Sequence, residues 1–254
     1  MRCLVHILFE DKDILVCVKP AGVASQTKKS GQQDMVSLLR NYRYEQGEEP
    51  YIGLVHRLDQ PVEGILVFGK HAQSTAALNR QLAKGIFSKV YLAVTEGDMP
   101  RQEGKLLDYL KKDGRRNLSA VAQKGDPQAK RAELLYRVLE TDESCAPVQN
   151  LVKVQLLTGR HHQIRVQMAN LGTPLAGDTK YGRGLQAEHG SSLHAEHNRM
   201  LSAEQGQQNN GTECGLGLCA CELEFVHPVK KQAMKFEISP SQMVFQRFDS
   251  LPKK

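Results

Sequence analysis

An α+β fold with a mixed, largely antiparallel sheet and flanking helices is what this chain predicts. Three observations carry that reading. Short apolar runs rich in β-branched residues outnumber the helical patterns, the helical patterns are brief, and no segment repeats at a fixed period. The chain is 254 residues long, enough to bury a substantial core, and it reads as one domain over 1–254.

Residues 6–19 give two apolar runs about an acidic turn, and Pro20-Ala21-Gly22 closes them. Within them ILVCV reads as a buried strand. Residues 24–34 are polar and loop-like, and Asp34 then caps a short helix opened by Met35-Val36-Ser37-Leu38-Leu39. YIGLVHRL (51–58) and GILVFGK (64–70) read as strands flanking the turn Asp59-Gln60-Pro61. Residues 72–84 predict a helix, through the recurrence of Ala77, Leu78 and Leu82, with Gly85 as its stop. SKVYLAV (88–94) is a strand, while the polar, basic stretch 98–131 suits either a strand pair or an exposed arm. ELLYRVLET and NLVKVQLL follow as strands. Residues 160–171 predict an amphipathic surface helix with Ile164, Met168 and Leu171 on one face and Gly172 at its end. GLCACELEF and AMKFEI close the sheet. Before them, 183–215 has no apolar rhythm and reads as a flexible insertion.

Composition narrows the classes. At 40% hydrophobic and 24% charged residues, a wholly disordered or fibrous chain is excluded. No apolar run approaches the ~18–20 residues of a helical membrane span, and Glu10, Asp11 and Asp13 interrupt any signal-peptide core. The six cysteines lack the regular spacing of a disulfide scaffold, so a reducing cytoplasm is expected. There are 34 Lys and Arg against 28 Asp and Glu, and the surplus concentrates around Lys111, Lys112, Arg115, Arg116, Lys130 and Arg131. Such a segment suits a phosphate backbone, although solvated surfaces often look the same.

Three segments carry more ionisable groups than their apolar frames require. In HRLDQPVEG an apolar run delivers His56, Arg57 and Asp59 to its end; the carboxylate is placed to act as nucleophile or base, or simply to cap the turn. In KVYLAV, Lys89 and Tyr91 share one strand face, where Tyr91 could equally be ordinary packing. In TGRHHQIRVQMANLG, Arg160, His161, His162, Gln163 and Arg165 crowd six residues. As helix neighbours, His161 and His162 would point to different faces and chelate no common metal. His189, His194, His197, Cys214, Cys219 and Cys221 match no usual zinc spacing, so no metal is expected. Phosphate-loop, dinucleotide and serine-hydrolase motifs are absent.

Taken together, HRLDQPVEGILVFGK, KVYLAV and LLTGRHHQIRVQMANLGTPLAGDTKYG, in that order and spacing, resemble the RluA-type family of pseudouridine synthases. ILFEDKDILVCVKPAGVASQ and LCACELEFVHP resemble that family's flanking segments, so the likeness covers roughly 6–182 and 217–239. The resemblance implies the pseudouridine synthase fold with a central cleft, and isomerisation of uridine to pseudouridine in RNA without cofactor or metal. It implies that Asp59 is the nucleophile, that Tyr91 stacks on the flipped base and serves proton transfer, and that Arg165 pairs with the aspartate. Arg57 would enter the RNA stack as the target nucleotide leaves. His56, Arg160, His162 and Gln163 are expected to shape the site or touch RNA, and Arg115 and Arg116 to meet its backbone. A monomer acting on ribosomal RNA, ahead of transfer RNA, is expected, without the small N-terminal RNA-binding domain many relatives carry. The rival reading is a non-catalytic RNA-binding protein of the same fold, which would have no use for the negative charge of Asp59. Val62 and Glu63 depart from the family's usual Thr-Ser, and Gln167 and Cys219 stand where His is common.

Overall fold

The computed structural model describes residues 5–28, 31–182 and 215–251; of the insertion read at 183–215, only Gly215 is among them. The chain divides into two compact units, Met1–Tyr91 with Cys219–Pro240, and Leu92–Leu218 with Ser241–Lys254.

In the first unit, β1 (His6–Glu10) and β2 (Ile14–Lys19) form a hairpin, closed where Asp11 accepts the N–H groups of Asp13 and Ile14. β4 (Glu63–Gly69) runs antiparallel along all of β2, from Ile14 opposite Gly69 to Lys19 opposite Gly64. Every residue of β4 is buried, as its near-continuous apolar run requires. Its other flank meets the short β3 (Gly53–Leu54) and, in parallel, β10 (Leu218–Val226), to which β11 (Ala233–Glu237) adds.

Two helices complete this unit. α1 (Met35–Glu45) starts at Asp34, which forms the expected cap and exchanges hydrogen bonds with Ser37. α2 (Ala72–Ala83) is capped by His71 and sits directly on the strands. A Cβ at Gly53 or Gly69 would fall 1.9 or 2.2 Å from Thr75 Oγ1, so only glycine permits that approach. Ile14, Val16, Ile65, Val67, Leu78 and Phe225 share one core, at about 1.5–3 kcal/mol of burial each. The strand expected over 51–58 shrinks to Gly53–Leu54. Beyond Leu54 the backbone leaves the sheet, because its polar groups find partners in the 19–25 turn instead.

β5 (Ser88–Glu96) begins in the first unit and ends in the second. The second unit holds an antiparallel series in the order β9 (Gln149–Leu156), β8 (Lys130–Asp142), β6 (Glu103–Asp113), β7 (Leu118–Ala122). Residues 98–131 therefore form the strand pair rather than an arm. α3 (Gln163–Asn170) packs on β6 and β7, with Val166 against Leu110 and Ala132. The β4–β10 pairing is parallel, whereas β2–β4, β6–β8 and β8–β9 are antiparallel, which bears out a mixed, largely antiparallel α+β fold. Among the described residues no helix is long and apolar enough to cross a membrane.

Candidate active site

The predicted site residues fall into two clusters, one in each unit. In the first, Asp59 occupies an irregular loop whose backbone is fastened on both sides of it. Ahead of it, Leu58 N–H donates to Ser25 Oγ at 3.0 Å, and Ser25 Oγ–H returns a 2.8 Å bond to the Leu58 carbonyl. Behind it, the Gln60 carbonyl accepts from Gly22 N–H at 2.9 Å and from Lys19 Nζ at 3.0 Å. Lys19 is fully buried, and its ammonium also donates to the carbonyls of Pro20 and Val23 at 2.9 and 2.6 Å. Burial pushes Lys19 down to about 8, against the pull of Asp59 and Glu63. Val62 N–H to the Asp59 carbonyl at 3.0 Å completes the turn. Sequence reasoning passed over Lys19 and Ser25. The signal was a lysine ending an unbroken apolar strand, directly before a Pro-Ala-Gly turn.

Tyr91 is buried, and its phenol is pushed well above the usual range by burial first and then by the charge of Asp59. It therefore keeps its proton and remains a neutral ring. In the same unit, Glu63 and Cys219 stand opposite each other in the parallel β4–β10 contact, and burial together with Glu63 pushes the Cys219 thiol up. Gly64, next in line, has φ +142°, and a Cβ there would lie 2.5 Å from the Ala220 carbonyl oxygen. His56 turns inward: its Nε2 accepts Val67 N–H at 3.3 Å, its ring meets Phe87 edge-on, and burial lowers it to about 3. Arg57 is exposed, with Nη2 3.3 Å from Gln26 Oε1.

The second cluster corrects the predicted helix over 160–171. α3 starts only at Gln163, because His162 adopts a left-handed conformation (φ +54°), so Arg160, His161 and His162 precede the helix. Nor is it a surface helix: all residues from Gln163 to Ala169 are buried. Freed from helical spacing, the rings of His161 and His162 stack at 3.7 Å instead of facing apart. Arg165 forks onto Asp178, Nε to Oδ2 at 2.8 Å and Nη2 to Oδ1 at 2.7 Å, with both side chains almost fully buried. Gln163 spends its amide inside the protein, accepting from Arg160 N–H and Thr158 Oγ–H and donating to the Glu133 carbonyl and Gln167. Arg160 Nε donates to the Arg131 carbonyl. Arg115 and Arg116 lie exposed at the tip of the β6–β7 hairpin, where Asp113 accepts both backbone N–H groups.

His162 is pushed down to about 2 and His161 to about 4, by burial first and then by neighbouring cations: Arg165, Lys180 and Lys112. Since the folded value of His161 lies below the ordinary 6.5, the unfolded chain takes the proton first as pH falls. Its contribution to stability is complete above about pH 6.5 and drains away toward pH 4. Urea midpoints across that window are expected to drop for the wild type and to drop less for His161→Gln. An equal slope for the two proteins would contradict this.

Among the described residues, Asp11, Asp13 and His227 are close enough to share a cation. The chemistry does not fit one. His227 Nδ1 accepts the N–H groups of Val229 and Lys230, which leaves the ring proton on Nε2, 3.0 Å from Asp11 Oδ2. The Lys230 ammonium lies 2.7 Å from the same oxygen. Of the cysteine and histidine set considered for zinc, His189, His194, His197 and Cys214 lie outside the described residues.

Known proteins resemble this chain along most of its length. A family model described as RNA pseudouridylate synthase matches residues 13–170. An uncharacterized RNA pseudouridine synthase of Bacillus subtilis, YhcT, is 36% identical over 179 residues, covering 70% of this chain and 58% of that protein. A ribosomal large subunit pseudouridine synthase D of Nitrosomonas europaea is 35% identical over 178 residues, 70% of this chain and 49% of the relative. The chain thus spans about half to three fifths of the length of these two curated relatives. In structure it is similar to human RNA pseudouridylate synthase domain containing 4. That TM-score is 0.71 at 20% identity, over 93% of this chain and 88% of the human one, a likeness of fold.

Proposed function

This chain belongs to the RNA pseudouridylate synthase family, and from that premise we propose that it isomerises uridine to pseudouridine in a structured RNA, ribosomal RNA ahead of transfer RNA. The observation that carries the reading is the fastening of the Asp59 loop. Lys19 and Ser25 hold the backbone on either side of Asp59 through main-chain carbonyl and N–H groups. A uridine stacked in RNA must be extruded before its glycosidic bond can be reached, at a cost of a few kcal/mol. The exposed Arg57 is suited to fill the gap. Tyr91 offers the uracil a flat apolar face and serves proton transfer; its raised pKa keeps the phenol neutral and makes its conjugate base the stronger one. Asp59 is the nucleophile. Arg165 is the fixed cation of the reaction, its rotamer set by the Asp178 fork.

His56, His162 and Gln163, whose polar atoms are engaged inside the protein, act by shaping the site, and Arg160 by contact with RNA. The reading includes a monomer in the cytoplasm that needs neither cofactor nor metal. Its test is conversion of an unmodified large-subunit ribosomal RNA transcript by the purified chain, with a chelator present. Pseudouridine at one or a few positions is expected. Conversion of transfer RNA alone would change the substrate, and RNA binding without conversion of either would favour the non-catalytic rival.

Arg115→Gln with Arg116→Gln is expected to weaken RNA binding and to flatten its salt dependence by about 0.7–0.9 in the log–log slope for each phosphate no longer neutralised. Filter binding across a salt series checks this; an unchanged slope would move the backbone contact elsewhere.

A further inference from the structure

We propose that Tyr181 is a positioning residue that couples the basic β6–β7 hairpin to Arg165, so that engagement of an RNA backbone by the hairpin tip and the setting of the arginine are one event. The inference rests on the synthase reading above and deepens it. Every group involved lies within the second unit.

The hairpin tip is anchored by one small network. Asn117, just past Arg115 and Arg116, is left-handed (φ +51°), and its carbonyl accepts Lys180 Nζ at 2.9 Å. Its Oδ1 lies 3.1 Å from His161 Nε2, and Ser119 Oγ lies 2.9 Å from His161 Nδ1. Ser119 N–H donates to Tyr181 Oη at 2.8 Å, and that oxygen is 2.7 Å from His162 Nδ1. The ring of Tyr181 in turn faces the guanidinium of Arg165, 5.2 Å from its centroid. Asp178 finishes the circuit: it forks onto Arg165 while Oδ1 accepts the N–H groups of Lys180 and Tyr181.

Asn117 Oδ1 can only accept, so His161 carries its proton on Nε2 and accepts the Ser119 hydroxyl proton at Nδ1. Tyr181 Oη accepts from Ser119 N–H and shares a single proton with His162 Nδ1 in a 2.7 Å hydrogen bond. Both imidazoles are thus neutral and stacked, in agreement with their lowered affinity for protons. Among so many cations, Lys112, Lys180 and Arg165 included, a neutral pair lets the hairpin lie against α3, which carries Arg165, without added repulsion. A phosphate drawn to the tip acts on Asn117 and Ser119; from Ser119 the contacts toward Arg165 are its N–H bond to the Tyr181 hydroxyl and the ring that faces the guanidinium, with the stacked His161–His162 pair bonded to Asn117, Ser119 and that hydroxyl beside them.

Tyr181→Phe tests this, since it keeps the ring over Arg165 and removes only the hydroxyl that joins Ser119 to His162. The readouts are single-turnover conversion of the ribosomal transcript at saturating enzyme, RNA affinity, and the denaturation midpoint. Tyr181→Phe is expected to slow the saturated rate by about tenfold, within the usual span of couplings between sites, with affinity changed less than about threefold. The Arg115→Gln, Arg116→Gln pair is expected to slow that rate as well as weaken binding, and the combined protein to be no slower at saturation than Tyr181→Phe alone. Losses that multiply, or a Tyr181→Phe rate equal to wild type, would overturn the proposal. A purely structural role would lower the midpoint while leaving the losses multiplicative. Should Tyr181→Phe not fold, His161→Ala cuts the same network from its other end and carries the same expectation. Wild-type protein that forms no pseudouridine would overturn the synthase reading and this proposal with it, whereas multiplicative losses in an active wild type overturn the coupling alone.

Discussion

Asp59→Asn is expected to lower uridine isomerisation by at least about 10³-fold, the scale on which loss of a nucleophile is felt, while RNA affinity stays within about threefold. The exchange is nearly isosteric, and the bonds from Lys19 and Ser25 hold the loop by the backbone of Leu58 and Gln60. The loop should therefore keep its shape. An amide is no nucleophile, so the chemistry alone is removed; and no attraction to phosphate is lost with a negative charge. Pseudouridine mapping of RNA from a strain lacking the gene, complemented with either form, checks this in one comparison. A site restored by wild type and not by Asp59→Asn names the substrate. Restoration by both would take the nucleophile's role from Asp59.

The second large effect is structural. Arg165→Met would leave the Asp178 carboxylate, whose side chain is 0% exposed, without the guanidinium that forks onto it. Stranding one partner of a buried ion pair costs about 3–5 kcal/mol, moderated here by the two backbone N–H groups that Oδ1 still accepts. Arg165→Lys should rescue little, because an ammonium cannot make two parallel bonds to one carboxylate. Adding Asp178→Asn to Arg165→Met removes the stranded charge, and most of the lost stability should return without the activity. Urea unfolding and conversion assays separate the two. Activity that returned together with stability would mean that Arg165 serves the fold and not the reaction.

Much of this was legible from the residues. The apolar runs of β2 and β4, the Asp34 cap and the extent of α2 follow from burial, capping and a terminal glycine, all of which act over a few residues. What failed to show depends on partners distant in sequence. Lys19 looks like the polar end of a strand; that it is buried follows only from Gln60, 41 residues on. The strand suggested by YIGLVHRL stops at Leu54 because the backbone of Leu58 bonds to Ser25 and not to a neighbouring strand. The spacing of Ile164, Met168 and Leu171 does mark a helix, but periodicity cannot register a single left-handed residue at His162, nor that the polar face is covered. The segments bearing Asp59, Tyr91 and Arg165 stood out for carrying more charge and hydrogen-bonding capacity than packing requires. Asp178, Ser25 and Lys19, which hold the frame around them, did not.

The Lys19 ammonium closes a cage of three carbonyl oxygens much as a dehydrated alkali cation would, except that this cation is covalently tied to β2 by four methylene groups. It cannot diffuse away, and it needs no concentration in the surrounding medium. Opening the Pro20–Val23 turn or the Asp59 loop means exposing a charge and three carbonyls together, so neither segment can loosen alone. Irregular backbone thereby acquires the cooperativity normally reserved for strands, and the loop that carries Asp59 is tied to β2, a strand paired on both sides.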